Sequence, residues 1–293
     1  MDWRRAYATV SGSAPEHDFV EPYTASVTFC VITALTGIIL RALTKVILPG
    51  KIQEYVLDFI STMEACAYFF ENNFIYKYYG SLWLGIAIVI QCFVCSRTFQ
   101  GSSENPVQAF QKLILGEMGF IKAMVKIFIQ SLAGLASYRL AQLIWSLDLI
   151  SDHHERYYET SCMSDLNVTL MFGFLVEMGA SLSDSWLGMQ TVSRMSVLDE
   201  LIKYANGSLM IVAGNIYKHS FCSILSGLST TGMYFNPAMA SGHTLGCQGT
   251  ALWEHFLVYW IGPFIGCLVA VYLDKLIHID VNRAAVDESK KKQ

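Results

Sequence analysis

Seven stretches of about 20 mostly apolar residues, the length that crosses the hydrocarbon core of a bilayer, dominate this chain. They lie near 24–48, 54–75, 80–96, 122–147, 167–190, 208–230 and 252–276. Inside hydrocarbon every backbone amide needs a partner from its own structure, which leaves helices and closed barrels. Runs of this length read as helices, so the expected class is an all-α membrane protein. Composition agrees: of 293 residues, 53% are hydrophobic and 15% charged, with a mean hydropathy of +0.39. Soluble domains carry about a quarter charged residues. The net charge of −4 is spread along the connections, so nothing points to a nucleic-acid partner. The first apolar run follows Glu16, Asp18 and Glu21 without a small-residue cleavage site, and a cleaved leader is not expected. Cys66, Cys92, Cys95, Cys222 and Cys267 fall inside apolar runs and read as small buried hydrophobes rather than metal ligands.

Basic residues held on the cytoplasmic side set the orientation of such a chain. Arg41 and Lys45, near the end of the first run, and Lys51 stand at the junction of the first two runs, and Lys112, Lys122 and Lys126 lie before or at the start of the fourth. Arg194 and Lys203 follow the fifth, and Arg283, Lys290, Lys291 and Lys292 lie in the tail. All share one side if residues 54–276 cross six times and begin and end in the cytoplasm. The 148–166 connection then lies opposite. It is acidic, and its His153 and His154 read as solvated loop residues. The run at 24–48 becomes an extra helix, either a seventh span or an interfacial one. Within the runs, Arg139 and Lys218 are expected to snorkel, whereas Glu64 has no evident partner.

Two apolar connections are too short to cross. Residues 99–116 contain Asn105-Pro106-Val107, and residues 226–247 contain Asn236-Pro237-Ala238. Proline suits the first helical position, where no amide donor is needed, and asparagine ahead of it is a good N-cap. Each segment is expected to enter the bilayer and return. Such backbone is tolerated at depth only where protein buries it or where it lines a wet cavity. A matched pair of interrupted segments marks a site built by an inverted repeat.

These paired motifs resemble those of the aquaporin, or major intrinsic protein, family, and further matches extend over nearly the whole chain. Asp58-Phe59-x-x-Thr62 is similar to the acidic pattern of the first core helix, with Asp for the usual Glu. Gln130 with Ala133-Gly134, Glu177, Thr231-Gly232 and Trp260-x-Gly262-Pro263 resemble the family's other patterns. The resemblance implies a six-span bundle of two inverted repeats over 53–276 (about 53–147 and 167–276) with two re-entrant half-helices. A 1–52 region with the extra helix would precede it and a 277–293 cytoplasmic tail would follow. It also implies a lipid-embedded homotetramer, water and small neutral solutes as cargo, and no cofactor. No nucleophile–base pair, cofactor loop or metal spacing suggests an enzyme. Gly116, Gly119, Gly173, Gly179, Gly214, Gly262 and Gly266 read as helix-contact positions.

Three departures are similar to the unorthodox superaquaporin branch: Val107 in place of alanine, Cys247 nine residues after Ala238, and the extra apolar run. A bridge between Cys247 and Cys162 and two free thiols are both compatible with the sequence. The Lys290-Lys291-Lys292-Gln293 end is similar to a dilysine retrieval signal for the endoplasmic reticulum, and equally to a solvated tail. By the family pattern, Asn105 and Asn236 would donate to passing water while Asp58 and Glu177 hold the re-entrant loops. Met239 stands where the family usually has arginine, and Met233, Ile224 and either Leu84 or Gly85 would complete the constriction. Such a ring has no cation and few donors. It leaves two readings open: a channel with slower water flux and room for glycerol or hydrogen peroxide, or a membrane-organising member of the fold that no longer conducts.

Overall fold

A computed structural model of the chain describes residues 18–216 and 230–282. Among them the elements are helices, joined by short connections with two isolated bridges. The first, α1 (Pro22–Ile47), opens on a proline at its first turn. Ala25, Phe29, Thr33, Gly37, Arg41 and Thr44 recur every three or four residues and form its buried stripe, while Val27, Val31, Leu35, Ile39 and Leu43 face outward. This is the pattern of a helix packed on one side and bathed in lipid on the other.

The next helix, α2 (Gly50–Thr98), is two helices joined at Gly80, whose φ of 76° only glycine adopts without strain. Asn72 and Gln91 would stand about 28 Å apart along an unbroken helix, yet their side-chain amides exchange hydrogen bonds of 2.9 and 2.7 Å. The chain therefore reverses at Gly80, and the two arms, 50–79 and 81–98, match the second and third apolar runs. Then come α3 (Pro106–Ile114), α4 (Phe120–Trp145), the short α5 (Ser151–Tyr158), α6 (Leu170–Met189) and α7 (Ser196–Ile216). A second short helix, α8 (Pro237–Thr244), and the long α9 (Leu252–Leu276) complete the order. A single π-helical turn, Leu257–Ile261, interrupts α9 just before Gly262-Pro263. Among the described residues α1, α2, α4 and α9 are long and apolar enough to cross a membrane on composition alone. This all-α bundle fits the expected class.

Two basic residues and a histidine lie elsewhere than the sequence suggests. Arg41 is not a loop cation: it is 1% exposed and donates to Glu64 at 2.7 Å. Glu64 thus has a partner after all, and its other oxygen accepts from the Tyr68 hydroxyl at 2.8 Å. Gly37 makes this possible, because a Cβ there would sit 1.8 Å from the Glu64 carboxylate. Lys126 is also buried, bound to Asp58 at 2.6 Å and Glu54 at 2.9 Å. His153 is not solvated either. Helix α5 folds it against Phe29, Phe74 and Trp145, with Nε2 3.2 Å from Glu71. Glu71 also accepts from Ser26 at 2.7 Å and from the Trp145 indole at 3.0 Å. Two buried carboxylates therefore fasten α1 antiparallel to the first arm of α2. Its start is tied to the 148–151 connection through Phe19 and Asp18, and its end to Gln53 and Gln100.

Candidate conduction site

The site is built by the two short helices. With 9 and 8 residues, α3 and α8 are about 12–14 Å long, under half of the hydrocarbon thickness. Each begins with Asn-Pro in the expected geometry. Asn105 and Asn236 are extended (φ −131° and −132°), and proline takes the first helical turn. The Asn105 side-chain amide oxygen accepts from Val107 N at 2.9 Å. That of Asn236 accepts from Ala238 N at 3.1 Å and Met239 N at 3.2 Å.

Both loops hang from buried carboxylates. Asp58 accepts from Ser103 N at 3.0 Å, and Gln130 donates to the Ser103 hydroxyl at 2.7 Å. In the second half Glu177 accepts from Tyr234 N at 3.1 Å, Phe235 N at 2.7 Å and the Thr231 hydroxyl at 2.6 Å. These bonds satisfy carboxylates that burial would otherwise make costly. They also hold the loop backbone where Met233 and Phe235 take positive φ values of 49° and 35°.

The halves are cross-braced. Asn105 Nδ2 donates to the Phe235 carbonyl at 3.2 Å, and Asn236 Nδ2 donates to the Glu104 carbonyl at 3.1 Å. Each amide nitrogen keeps a second hydrogen, and both asparagines line a cavity of about 510 Å³. Behind them, the third residue of each motif packs on a long helix of the other half. Ala238 lies against Gly134, where a Cβ would come within 2.1 Å of its carbonyl oxygen. Val107 lies by Cys267, whose thiol points at the Val107 carbonyl at 3.9 Å. Val107 is 3% exposed and off the cavity wall.

Besides the asparagines, the cavity is lined by Glu104, Gln108, Asp184, Leu187, Lys203 and Tyr204. Met233, Met239, Ile88, Ile211, Phe69 and Tyr234 also line it. Leu84 is off the cavity wall but belongs to the same apolar cluster as these residues. Gly85 turns away: its carbonyl accepts from Ser208 at 2.8 Å, and a Cβ there would meet Val212 at 3.0 Å. Ile224 lies outside the described residues. Glu104 and Asp184, not singled out from the sequence, put two carboxylates on the wall. The available signal was an acid inside an apolar segment.

A sequence profile described as "Major intrinsic protein" matches residues 59–273. The chain belongs to the major intrinsic protein family. It is 27% identical over 218 residues to an aquaporin-11 of Milnesium tardigradum, covering 74% of each chain. It is 24% identical over 251 residues to human aquaporin-11 (82% of this chain, 86% of the relative). It is also 28% identical over 177 residues to mouse aquaporin-12 (60% and 57%). These relatives place this major intrinsic protein in the superaquaporin branch, and family membership makes it a membrane channel of the aquaporin type.

Cys162 and Cys247 are joined by a disulfide. The loops it links also zip together: Gln248 N donates to the Cys162 carbonyl at 3.0 Å and Ser164 N to the Gln248 carbonyl at 2.8 Å. Asp165, in the same loop, accepts from the Tyr234 hydroxyl, and burial raises its carboxyl above the ordinary range. The bridge spans a sequence separation of 85, which the chain-entropy account converts to about 4–5 kcal/mol. Cys162→Ser/Cys247→Ser is expected to lower the thermal midpoint of the purified protein by several degrees. Circular dichroism with and without reductant checks this: reductant should shift the parent and leave the double variant unmoved.

Proposed function

We propose that this protein passively conducts water and small neutral solutes such as glycerol and hydrogen peroxide between the two Asn-Pro half-helices. The observation that carries the reading is the reciprocal brace, Asn105 to Phe235 and Asn236 to Glu104. It joins two helix N-termini and leaves one amide hydrogen of each asparagine for the cavity. A helix N-terminus presents unpaired amides and about half a positive charge. Two of them face to face disfavour cations, while a water oxygen can accept from both amides. Met233 and Met239 form the constriction, with Leu84 in the apolar cluster packed against them and Ile224 as the contributor from the sixth run. Lacking a cation, this ring dewets more readily than one with arginine, which slows water and relaxes the exclusion of glycerol.

Further parts of the proposal rest on the same frame. α1 crosses the membrane as a seventh span, since it runs antiparallel to the first arm of α2 and starts beside the 148–151 connection. The disulfide end then faces an oxidising compartment, and the basic end faces the cytoplasm. The tail retains the protein in the endoplasmic reticulum, and four copies assemble, each with its own pore.

Two substitutions test the pore. Asn236→Asp keeps the cap but sets an oxygen against the Glu104 carbonyl, at about 1–3 kcal/mol for the broken bond. Water flux should fall by about tenfold. Met239→Arg restores the cation and should lower the glycerol-to-water permeability ratio by about fivefold. Both are read by light scattering from proteoliposomes. Unchanged permeability in both variants of a conducting protein would remove the assignment.

A further inference from the structure

A second cavity, of about 720 Å³, lies between α1 and the 81–98 arm of α2, with the 50–79 arm as its floor. Its walls are Val27, Val31 and Leu35 on one side and Ile86, Ala87 and Ile90 on the other. Away from Tyr23, Tyr79 and Trp83 at its rim, Ser26, Tyr68 and Gln91 border it and are committed to protein partners. Ser26 donates to Glu71 at 2.7 Å, and the Tyr68 hydroxyl to Glu64 at 2.8 Å. Gln91 exchanges bonds with Asn72 and donates to the Cys30 sulfur at 3.6 Å. A water molecule needs two to four polar partners to stay in such a space, and apolar cavities stay dry. The volume falls within the range of about 300–1,000 Å³ typical of small-molecule sites.

The depth of the cleft is marked by its aromatic residues. Tyr23, Tyr79 and Trp83 flank the end nearest the Gly80 reversal and are 60%, 37% and 57% exposed. Tyrosine and tryptophan concentrate where headgroups meet hydrocarbon. The cleft therefore starts at the interface of one leaflet and descends toward Leu35 and Val94. Its inner wall has a second face: Tyr68 and Gln91 also line the cavity that holds the paired asparagines.

We propose that this cleft is a binding site for one acyl chain of a bilayer lipid, drawn from the leaflet at the Gly80 end. The occupant backs Tyr68 and Gln91, so the added helix α1 gives the membrane a hold on the side wall of the pore. Three features favour an acyl chain over a second protein copy. The site is a crevice rather than a flat face, it is lined by hydrocarbon, and it opens at headgroup depth.

The test uses the full-length protein in phosphatidylcholine vesicles containing a phosphatidylcholine with a photoactivatable diazirine on one acyl chain. After illumination, adducts are mapped by peptide mass spectrometry. Peptides covering 27–35 and 83–94 should carry about tenfold more label than the outward face of α4 at Phe120, Phe128 and Leu143. Ala34→Trp and Ala87→Trp, each of which fills the cleft, should abolish that excess and leave the α4 label unchanged. Equal labelling of cleft and α4 in the parent protein would mean ordinary boundary lipid and overturn the proposal without reference to any variant. A copy-to-copy crosslink through Val31→Cys with no lipid label in the cleft would overturn it as well, assigning the cleft to a second chain.

Discussion

Replacing Gly134 with alanine is expected to cut water flux by tenfold or more, because the added methyl group meets backbone rather than a yielding side chain. Its Cβ would lie 2.1 Å from the Ala238 carbonyl oxygen and 2.7 Å from the carbonyl carbon. Gly242, one turn further along α8, meets the Gly134 carbonyl in the same way at 2.2 Å. Helix α8 must then move away from α4, and Asn236 moves with it, opening the braces to Glu104 and Phe235. Overpacking of this kind costs about 1–3 kcal/mol, and the bundle should survive it while the pore geometry does not. Gly179→Ala is the control. Nothing lies within 4 Å of a Cβ there, so flux should stay within about twofold of the parent, since small residues matter only where backbones touch. Proteoliposome flux at matched protein content, with circular dichroism to verify helix content, checks both.

The second large effect lies at the α1 interface. Glu64→Leu leaves the Arg41 guanidinium buried without its carboxylate, a loss of about 3–5 kcal/mol. Part of that guanidinium already lacks a hydrogen-bond partner, at Nε and Nη2, so little nearby can take over. Arg41→Met/Glu64→Leu removes both charges and should recover most of the loss, because apolar pairs of similar volume replace buried ion pairs at little cost. The thermal midpoints of the parent, both single variants and the double variant in one detergent form the cycle. If the single variants are as stable as the parent, the pair does not hold α1. If the double variant is no better than the Glu64→Leu single, the loss arises from packing instead.

Much of the bundle was legible because length and apolarity encode spans directly. The runs at 54–75, 122–147 and 252–276 became helices at 50–79, 120–145 and 252–276. The half-helices were readable through Asn-Pro, whose capping chemistry works within a few residues. What the sequence hid were interactions between distant positions. Arg41 and Lys126 resemble loop cations in one dimension, and only packing shows that each has a buried acid beside it. His153 sits in a polar stretch, yet α5 turns its ring toward Trp145. The glycine reading was mixed for a related reason. Gly266 does pack on backbone, since a Cβ there would lie 2.2 Å from the Met178 carbonyl oxygen, whereas Gly116, Gly119 and Gly179 face open space. Gly134 and Gly242, at the seam between α4 and the half-helix α8, matter through a contact across more than 100 positions. Leu84 and Gly85 stood as alternatives in the sequence because a one-residue shift turns a side chain by about 100° around a helix, and neither lines the cavity.

The most direct measurement is stopped-flow osmotic shrinkage of proteoliposomes carrying the purified chain, with water and glycerol gradients run in parallel. Conduction through the braced asparagines predicts water efflux well above empty vesicles, with a low activation energy, and a measurable glycerol permeability that Gly134→Ala removes together with the water flux. Folded, disulfide-bonded protein that gives no flux above empty vesicles would contradict the account and leave a fold that organises membrane without conducting.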